Sequence, residues 1–364
     1  MKQRLLFLLL SAAVLTGCFF TAPPPQAPSP VYTDWSRLTP YVPEDIAYET
    51  FQPYSGDHLT ARDDYGLLLP YVGAEASPGD YIVDAMPLYG LMTADGRVVT
   101  DPVYASVYQA QRGRSAAPFL LLCAGHRYID PATGQEYPSD YHGAKITLAA
   151  PDGSWVLEGN YCRAELLDET RMALTDRDGS VRIADSAGNI VMAFPRTLLA
   201  SYLGQEFYWG DFDGDAPILS WYNGYGLVYS RAAWEADPES EGYVLCLDPN
   251  DGTVSRDLPE GLFAVSGDDS RQSEPPAFPG YGYANPLTDP VTGQTFYYAR
   301  RTDADTYDVL SGGGTVLVAD CGDPYFLYPF VWNGWIGFVR DGVFCYYTPD
   351  GDCVFRYPIR TNSD

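Results

Sequence analysis

The sequence predicts an all-β protein built from repeated antiparallel units, and three observations carry that prediction. Amphipathic helical periodicity is nearly absent beyond residue 31. Short aromatic and β-branched runs recur in its place, each suited to a pleated, half-buried surface. Between these runs stand Asp-Gly and Thr-Gly turns, whose glycine accepts the positive φ that tight hairpins demand. With 46% hydrophobic residues, 15% aromatic residues and 30 tyrosines, the chain has ample material for a core.

Residues 1–17 come first. Lys2 and Arg4 precede an apolar run from Leu5 to Leu15, shorter than the roughly 20 residues that span a bilayer. Small residues then lead into Leu15-Thr16-Gly17-Cys18, the layout of a secretory signal. Leu-Thr-Gly-Cys also resembles the lipobox of bacterial lipoproteins. In that family the cysteine sulfur receives a diacylglyceryl group and cleavage makes the cysteine the first residue. The resemblance implies that Cys18 carries the lipid and that residues 1–17 are removed. The rival reading is an ordinary signal peptide that holds a cysteine.

Residues 18–31 read as a tether. Thr21 to Pro30 contains five prolines and no charge, so the segment is extended, at about 3.1 Å per residue, and semi-rigid. It would hold a folded domain, residues 32–364, away from the membrane on its extracytoplasmic face.

Without residues 1–17 the chain has 20 basic against 48 acidic residues, a net charge of −28. That balance repels nucleic acid and anionic headgroups, so neither is expected as a direct partner. The expected membrane contact is the lipid anchor alone.

The turns recur with one grammar. Asp95-Gly96, Asp178-Gly179, Asp251-Gly252 and Asp350-Gly351 each separate two β runs. A second form, Asp-Pro-x-Thr-Gly-Gln, occurs at 130–135 and again at 289–294. Hairpin turns near 95, 134, 152, 178, 188, 251, 293 and 350 fit a β-propeller-like repeat fold. Two hairpins per blade of about 40–50 residues give about seven blades. Tandem β-sandwiches of about 100 residues each are the alternative. Ser266–Pro286, rich in Gly, Pro and Ser, reads as a long inter-strand loop. The runs Gly342–Tyr347 and Cys353–Tyr357 read as closing strands, expected to pair with chain between Tyr32 and Leu69.

Tyr89-Gly90-Leu91, then Asp95-Gly96-Arg97-Val98-Val99, then Pro102-Val103-Tyr104 resembles the WG repeat of bacterial surface proteins. Tyr65-Gly66-Leu67, Tyr225-Gly226-Leu227 and, more loosely, Trp335-Ile336-Gly337-Phe338 echo its opening. Resemblance to WG-repeat lipoproteins implies a β-rich repeat fold and a binding role, with no shared catalytic residues.

Gly210-Asp211-Phe212-Asp213-Gly214-Asp215 is the sharpest local cluster. Three alternate carboxylates on a glycine-bent loop can converge on one hard cation, so Asp211, Asp213 and Asp215 are candidate Ca²⁺ ligands. The string is similar to the calcium loops of integrin-type propellers, but departs from them at Ala216 and Leu219. The rival reading is an acidic turn. Asp152-Gly153-Ser154-Trp155 is similar to the Asp-box of sialidase-like propellers with the wrong spacing, and reads as an ordinary hairpin.

Six cysteines follow Cys18 with no CxxC pair, which argues against a zinc site. Cys345 and Cys353 flank a turn and could meet on neighbouring strands or stay as buried thiols. Cys123 and His126 stand close, but Phe119–Cys123 reads as a buried strand. No G-x-S-x-G elbow, HExxH or phosphate loop is present. Trp209, Trp221, Trp234, Trp332 and Trp335 read mainly as core, though exposed tyrosine or tryptophan suits a sugar- or peptide-binding face. The expected protein is a lipid-anchored extracytoplasmic β-repeat protein that binds a surface glycan or protein partner without catalysis. The alternative is a carbohydrate-active propeller hydrolase using a carboxylate pair.

Overall fold

The computed structural model describes residues 51–53, 56–76, 86–112, 115–124, 126–129, 136–138, 145–176, 180–203, 218–236, 242–260, 262, 276–321 and 328–360. Cys18, the proline-rich tether and Asp211, Asp213 and Asp215 lie outside the described residues.

The described residues open with strands β1 (Phe51–Pro53), β2 (Leu68–Ala76), β3 (Met86–Thr93), β4 (Tyr104–Arg112) and β5 (Ser115–Ala124). A hairpin of β6 (His126–Ile129) and β7 (Glu136–Pro138) precedes β8 (Lys145–Ala149) and β9 (Val156–Leu166). Then come β10 (Arg171–Asp176), β11 (Val181–Asp185), β12 (Ile190–Phe194) and helix α1 (Arg196–Leu203). Strands β13 (Ile218–Tyr222) and β14 (Tyr225–Tyr229) lead to helix α2 (Arg231–Ala236), β15 (Tyr243–Leu247) and β16 (Val254–Ser255). Next are β17 (Tyr281–Thr288), β18 (Thr295–Arg301), β19 (Tyr307–Leu310) and β20 (Val316–Val318). Strands β21 (Phe330–Trp332), β22 (Trp335–Arg340), β23 (Val343–Tyr347) and β24 (Cys353–Pro358) complete the order.

The all-β expectation holds, and every named ladder is antiparallel. Five sheets form among the described residues, against the expected seven or so units. The number is smaller because β2–β5 and β8–β12 fuse into one nine-stranded sheet, while β6–β7 leave it to pair with β1. Strands β3 and β4 are joined there by the single pair Tyr89↔Tyr104. The remaining strands make three four-stranded meanders, β13–β16, β17–β20 and β21–β24, each in chain order.

The turns near 95, 152, 188, 251, 293 and 350 carry positive-φ glycines at Gly96, Gly153, Gly188, Gly252, Gly293 and Gly351. Residues 134 and 178 lie outside the described residues, although strands pair across both. At 152 the hairpin is ordinary: Ala150 N donates to Trp155 O at 3.0 Å and Ser154 N to Asp152 Oδ1 at 3.0 Å. Three tighter turns, Asn223-Gly224, Asn333-Gly334 and Asp341-Gly342, have positive φ at both residues, the type I′ geometry that matches strand twist.

The WG-like openings acquire a structural meaning. Tyr71 lies opposite Gly90, Trp221 opposite Gly226 and Phe330 opposite Gly337. A methyl on Gly90 would run into the Tyr71 ring, on Gly226 it would meet Trp221 at 3.1 Å, and on Gly337 it would meet Phe330 at 2.9 Å. In each case the glycine leaves room for the cross-strand ring to lie over the backbone. Gly66 faces open space, outside any strand, and is not such a position.

The sheets stack through apolar faces. Phe194 and Ile183 at the β12 end of the large sheet, with Leu199 of α1, pack with Leu219, Val228 and Leu245. Phe296, Tyr298 and Val309 pack with Val331, Ile336 and Phe338, joining β17–β20 to β21–β24. Trp332, Phe344 and Tyr346 then share a core with Leu68, Tyr71, Leu91 and Tyr104, so the end of the chain docks on its beginning. Asp289, fully buried, ties two turns together. Its carboxylate accepts from Val291 N at 2.9 Å, Thr292 Oγ1 at 2.7 Å, Asn333 N at 3.0 Å and Gly334 N at 2.6 Å.

Three expectations need correction. The closing strands do not complete an early sheet. β24 is the edge of its own meander; just past its end Arg360 makes one parallel bridge to Ala74, and Phe355 and Tyr357 lay their rings against Tyr71. The reason is that burial favours covering the meander's apolar face, where Phe344 and Tyr346 meet Leu68 and Tyr71, over extending its edge. Second, the end of the supposed loop Ser266–Pro286 is strand, since β17 starts at Tyr281. Pro286 is tolerated because β17 is a sheet edge. Third, two short helices occur among the described residues; Ser230 Oγ accepts from Ala233 N at 3.3 Å and caps α2.

Candidate functional site

Strand alternation puts Phe296, Tyr298 and Arg300 on one face of β18. Phe296 and the body of Tyr298 are covered by β21–β22. Beyond that cover, the same face continues into a group of tyrosines that face solvent. Tyr307 lies opposite Arg300, and the Tyr298 and Tyr307 rings stack at 4.7 Å and 17°. Tyr328 meets Tyr298 edge-on at 6.1 Å and 89°. Tyr283 sits where the β17–β18 register shifts between Tyr281 and Ala284, and its phenol neighbours that of Tyr307. Tyr283 is 50% and Tyr328 63% exposed, against 1% for Tyr298.

The Tyr298 hydroxyl is buried, and among the described residues no donor or acceptor meets it. An unmet polar atom of this kind costs roughly 1–3 kcal/mol. Burial, followed by the neighbouring Tyr307, Cys321, Tyr283 and Tyr328, drives its pKa far above the ordinary tyrosine value. The Tyr307 phenol is raised as well, first by the neighbouring Tyr283 phenol and then by burial. These phenols therefore stay protonated at neutral pH, where they donate and accept hydrogen bonds instead of acting as bases.

The carboxylates around the group have other work. Asp305 Oδ1 accepts from Arg300 Nη2 at 2.8 Å on the exposed rim. Asp308 is buried on the opposite face; it accepts from Tyr281 Oη at 2.7 Å and from Asp320 N at 2.9 Å. Burial and that bond push Tyr281 up to about 12. Chemically, the group is a platform of aromatic faces with hydroxyl tips and a charged rim.

The residues singled out in the sequence fall elsewhere. Cys123 is a partly buried free thiol on β5, and burial raises its pKa. His126 lies on β6, and the position of its side chain lies outside the described residues, as do His142 and Trp209. Trp332 is buried and Trp221 and Trp335 are partly buried in cores, whereas Trp234 on α2 is exposed. Among the described residues no three His, Cys, Asp or Glu side chains are grouped as for a metal ion, and no helix is long and apolar enough to cross a membrane. The tyrosine platform was not singled out in the sequence. Its signal was the density of tyrosine at 281, 283, 297, 298 and 307.

No protein-family model and no curated protein sequence matches the chain. Among solved structures it is similar to BamB from Moraxella catarrhalis, at 13% identity and a TM-score of 0.22. That match covers 84% of this chain and 88% of the other. It is also similar to a protein of unknown function from Bacteroides caccae, at 11% identity and a TM-score of 0.21, covering 68% and 79% of the two chains. Similarities at this level assign neither fold nor function.

Proposed function

We propose that this chain is a lipid-anchored, extracytoplasmic, propeller-like protein that binds a carbohydrate ligand on the tyrosine platform of β17–β20. The anchor is Cys18 in its lipobox, and the segment 18–31 is the spacer. The propeller-like reading is supported by consecutive four-stranded meanders stacked through their faces. One observation carries the binding reading: the buried, unmet hydroxyl of Tyr298 sits within a group of exposed tyrosines. A sugar offers both halves of the complement, an apolar face for the rings and hydroxyls for the phenols. Protonated phenols favour binding over hydrolysis, and Asp308 is committed on the other face.

Purified full-length protein titrated with a panel of envelope-derived oligosaccharides should quench tyrosine fluorescence on binding. Tyr328→Ala and Tyr283→Ala should each weaken affinity about 2–10-fold, the worth of one aromatic contact. Binding of equal strength in both variants, or none to any member of the panel, overturns the reading. For the anchor, Cys18→Ala should move the protein from the membrane to the soluble fraction, since only the thiol accepts the diacylglyceryl group. Unchanged membrane partitioning would remove the lipobox from the argument.

A further inference from the structure

The hairpin of β23 and β24 brings two thiols together. Cys345 lies opposite Arg356 and Cys353 opposite Tyr347, with a register shift between Tyr346 and Tyr347. The shift adds an extra residue to β24, so Cys345 and Cys353 stand diagonally across the ladder, and Arg356, the residue opposite Cys345, reaches the Cys353 sulfur. Both are free thiols. They differ in setting. Cys345 is buried and its thiol donates toward Val343 O at 3.9 Å. Cys353 is partly exposed, and Arg356 Nε donates to its sulfur at 3.2 Å.

We propose that Cys345 and Cys353 form a cross-strand disulfide by thiol–disulfide exchange, with Cys353 attacking first and Cys345 resolving. Cys353 loses its proton to solvent, and its thiolate, beside the Arg356 guanidinium, attacks one sulfur of an external disulfide. A mixed disulfide forms and one thiolate of the oxidant leaves. Cys345 then loses its proton and attacks the Cys353 sulfur, displacing the second oxidant thiolate. Two thiols of the protein become one disulfide, and the oxidant's disulfide becomes two thiols. The assignment of roles follows from access and charge: the nucleophile is the thiolate that is exposed and paired with a cation. Burial raises the pKa of the Cys345 thiol, which suits the slower, second step. Occurrence in the cell rests on the export proposed above, because such bonds persist in oxidising compartments.

Full-length protein equilibrated with oxidised glutathione, then unfolded, alkylated and cleaved after arginine, tests this directly. Residues 341–356 form one peptide that contains both cysteines. It should pass from two alkyl groups to none, two hydrogens lighter and free of glutathione. Two alkyl groups under every condition, or a persistent glutathione adduct, overturn the proposal. Cys345→Ser should trap glutathione on Cys353, whereas Cys353→Ser should leave Cys345 unmodified. Equal labelling of Cys345 in the latter reverses the order of attack. A protein that oxidises in vitro and is reduced in cells would overturn the export reading and leave the chemistry standing.

Discussion

The adjacent meanders β17–β20 and β21–β24 use the same residue type in opposite ways. Tyr346 on β23 is fully buried, and its hydroxyl donates to Pro70 O at 2.5 Å across the boundary between chain end and chain start. Trp332 Nε1 does the same to Leu68 O at 3.2 Å. Tyr298 on β18 is buried to nearly the same degree, yet its hydroxyl has no mate among the described residues. A buried tyrosine whose hydroxyl is matched holds the fold together. One whose hydroxyl is unmatched, beside exposed rings, costs stability that a ligand can restore.

The largest effect is expected from the docked end. Deleting residues 343–364 removes Phe344 and Tyr346 from the core shared with Leu68 and Tyr71 and bares the edge of β22. The whole domain should unfold or aggregate. Tyr346→Ala alone should cost about 3–5 kcal/mol in denaturant titration. A truncated protein that stays soluble and unfolds cooperatively would break the comparison on this side.

A subtler pair of variants sharpens it. Tyr346→Phe strands the Pro70 carbonyl and should cost about 1–3 kcal/mol. Tyr298→Phe deletes an unmet hydroxyl, so stability should change by no more than about 0.5 kcal/mol or rise, while oligosaccharide affinity falls. Equal destabilisation by both substitutions would mean that the two tyrosines do the same work.

The smallest effect concerns pH. Tyr281 is raised from 10 to about 12 in the folded protein, by burial and then by its bond to Asp308. A raised folded pKa means that the native state holds the proton more tightly than the unfolded state. Stability from this group is therefore full below about pH 10 and is lost as pH rises through about 12. Tyr281→Phe should flatten that alkaline loss, measured as the denaturation midpoint against pH. An unchanged alkaline slope would put the loss elsewhere.

Much of the local structure was legible in the residues. Asp-Gly turns at 95, 152, 251 and 350 announced hairpins because glycine enters positive φ without strain. The type I′ pairs Asn223-Gly224, Asn333-Gly334 and Asp341-Gly342 carried an equally strong signal, and they place three further hairpins in the later meanders. The buried strand expected at Phe119–Cys123 holds at Phe119, Leu120 and Leu122, whereas Cys123 itself is partly buried. The helices were not legible, since α1 and α2 are too short for a periodicity to appear.

What the sequence by itself determined is the all-β class, the hairpin positions and the aromatic–glycine units, because these depend on φ, alternation and turn chemistry within a few residues. Tertiary structure decided how strands group into sheets, that the chain end docks by its face, and which tyrosines are sealed. Those outcomes depend on contacts between residues as far apart as Tyr346 and Pro70. No local pattern separates Tyr298 from Tyr346, for both stand in apolar strands. Only the neighbour across the packed face decides whether a hydroxyl finds a carbonyl.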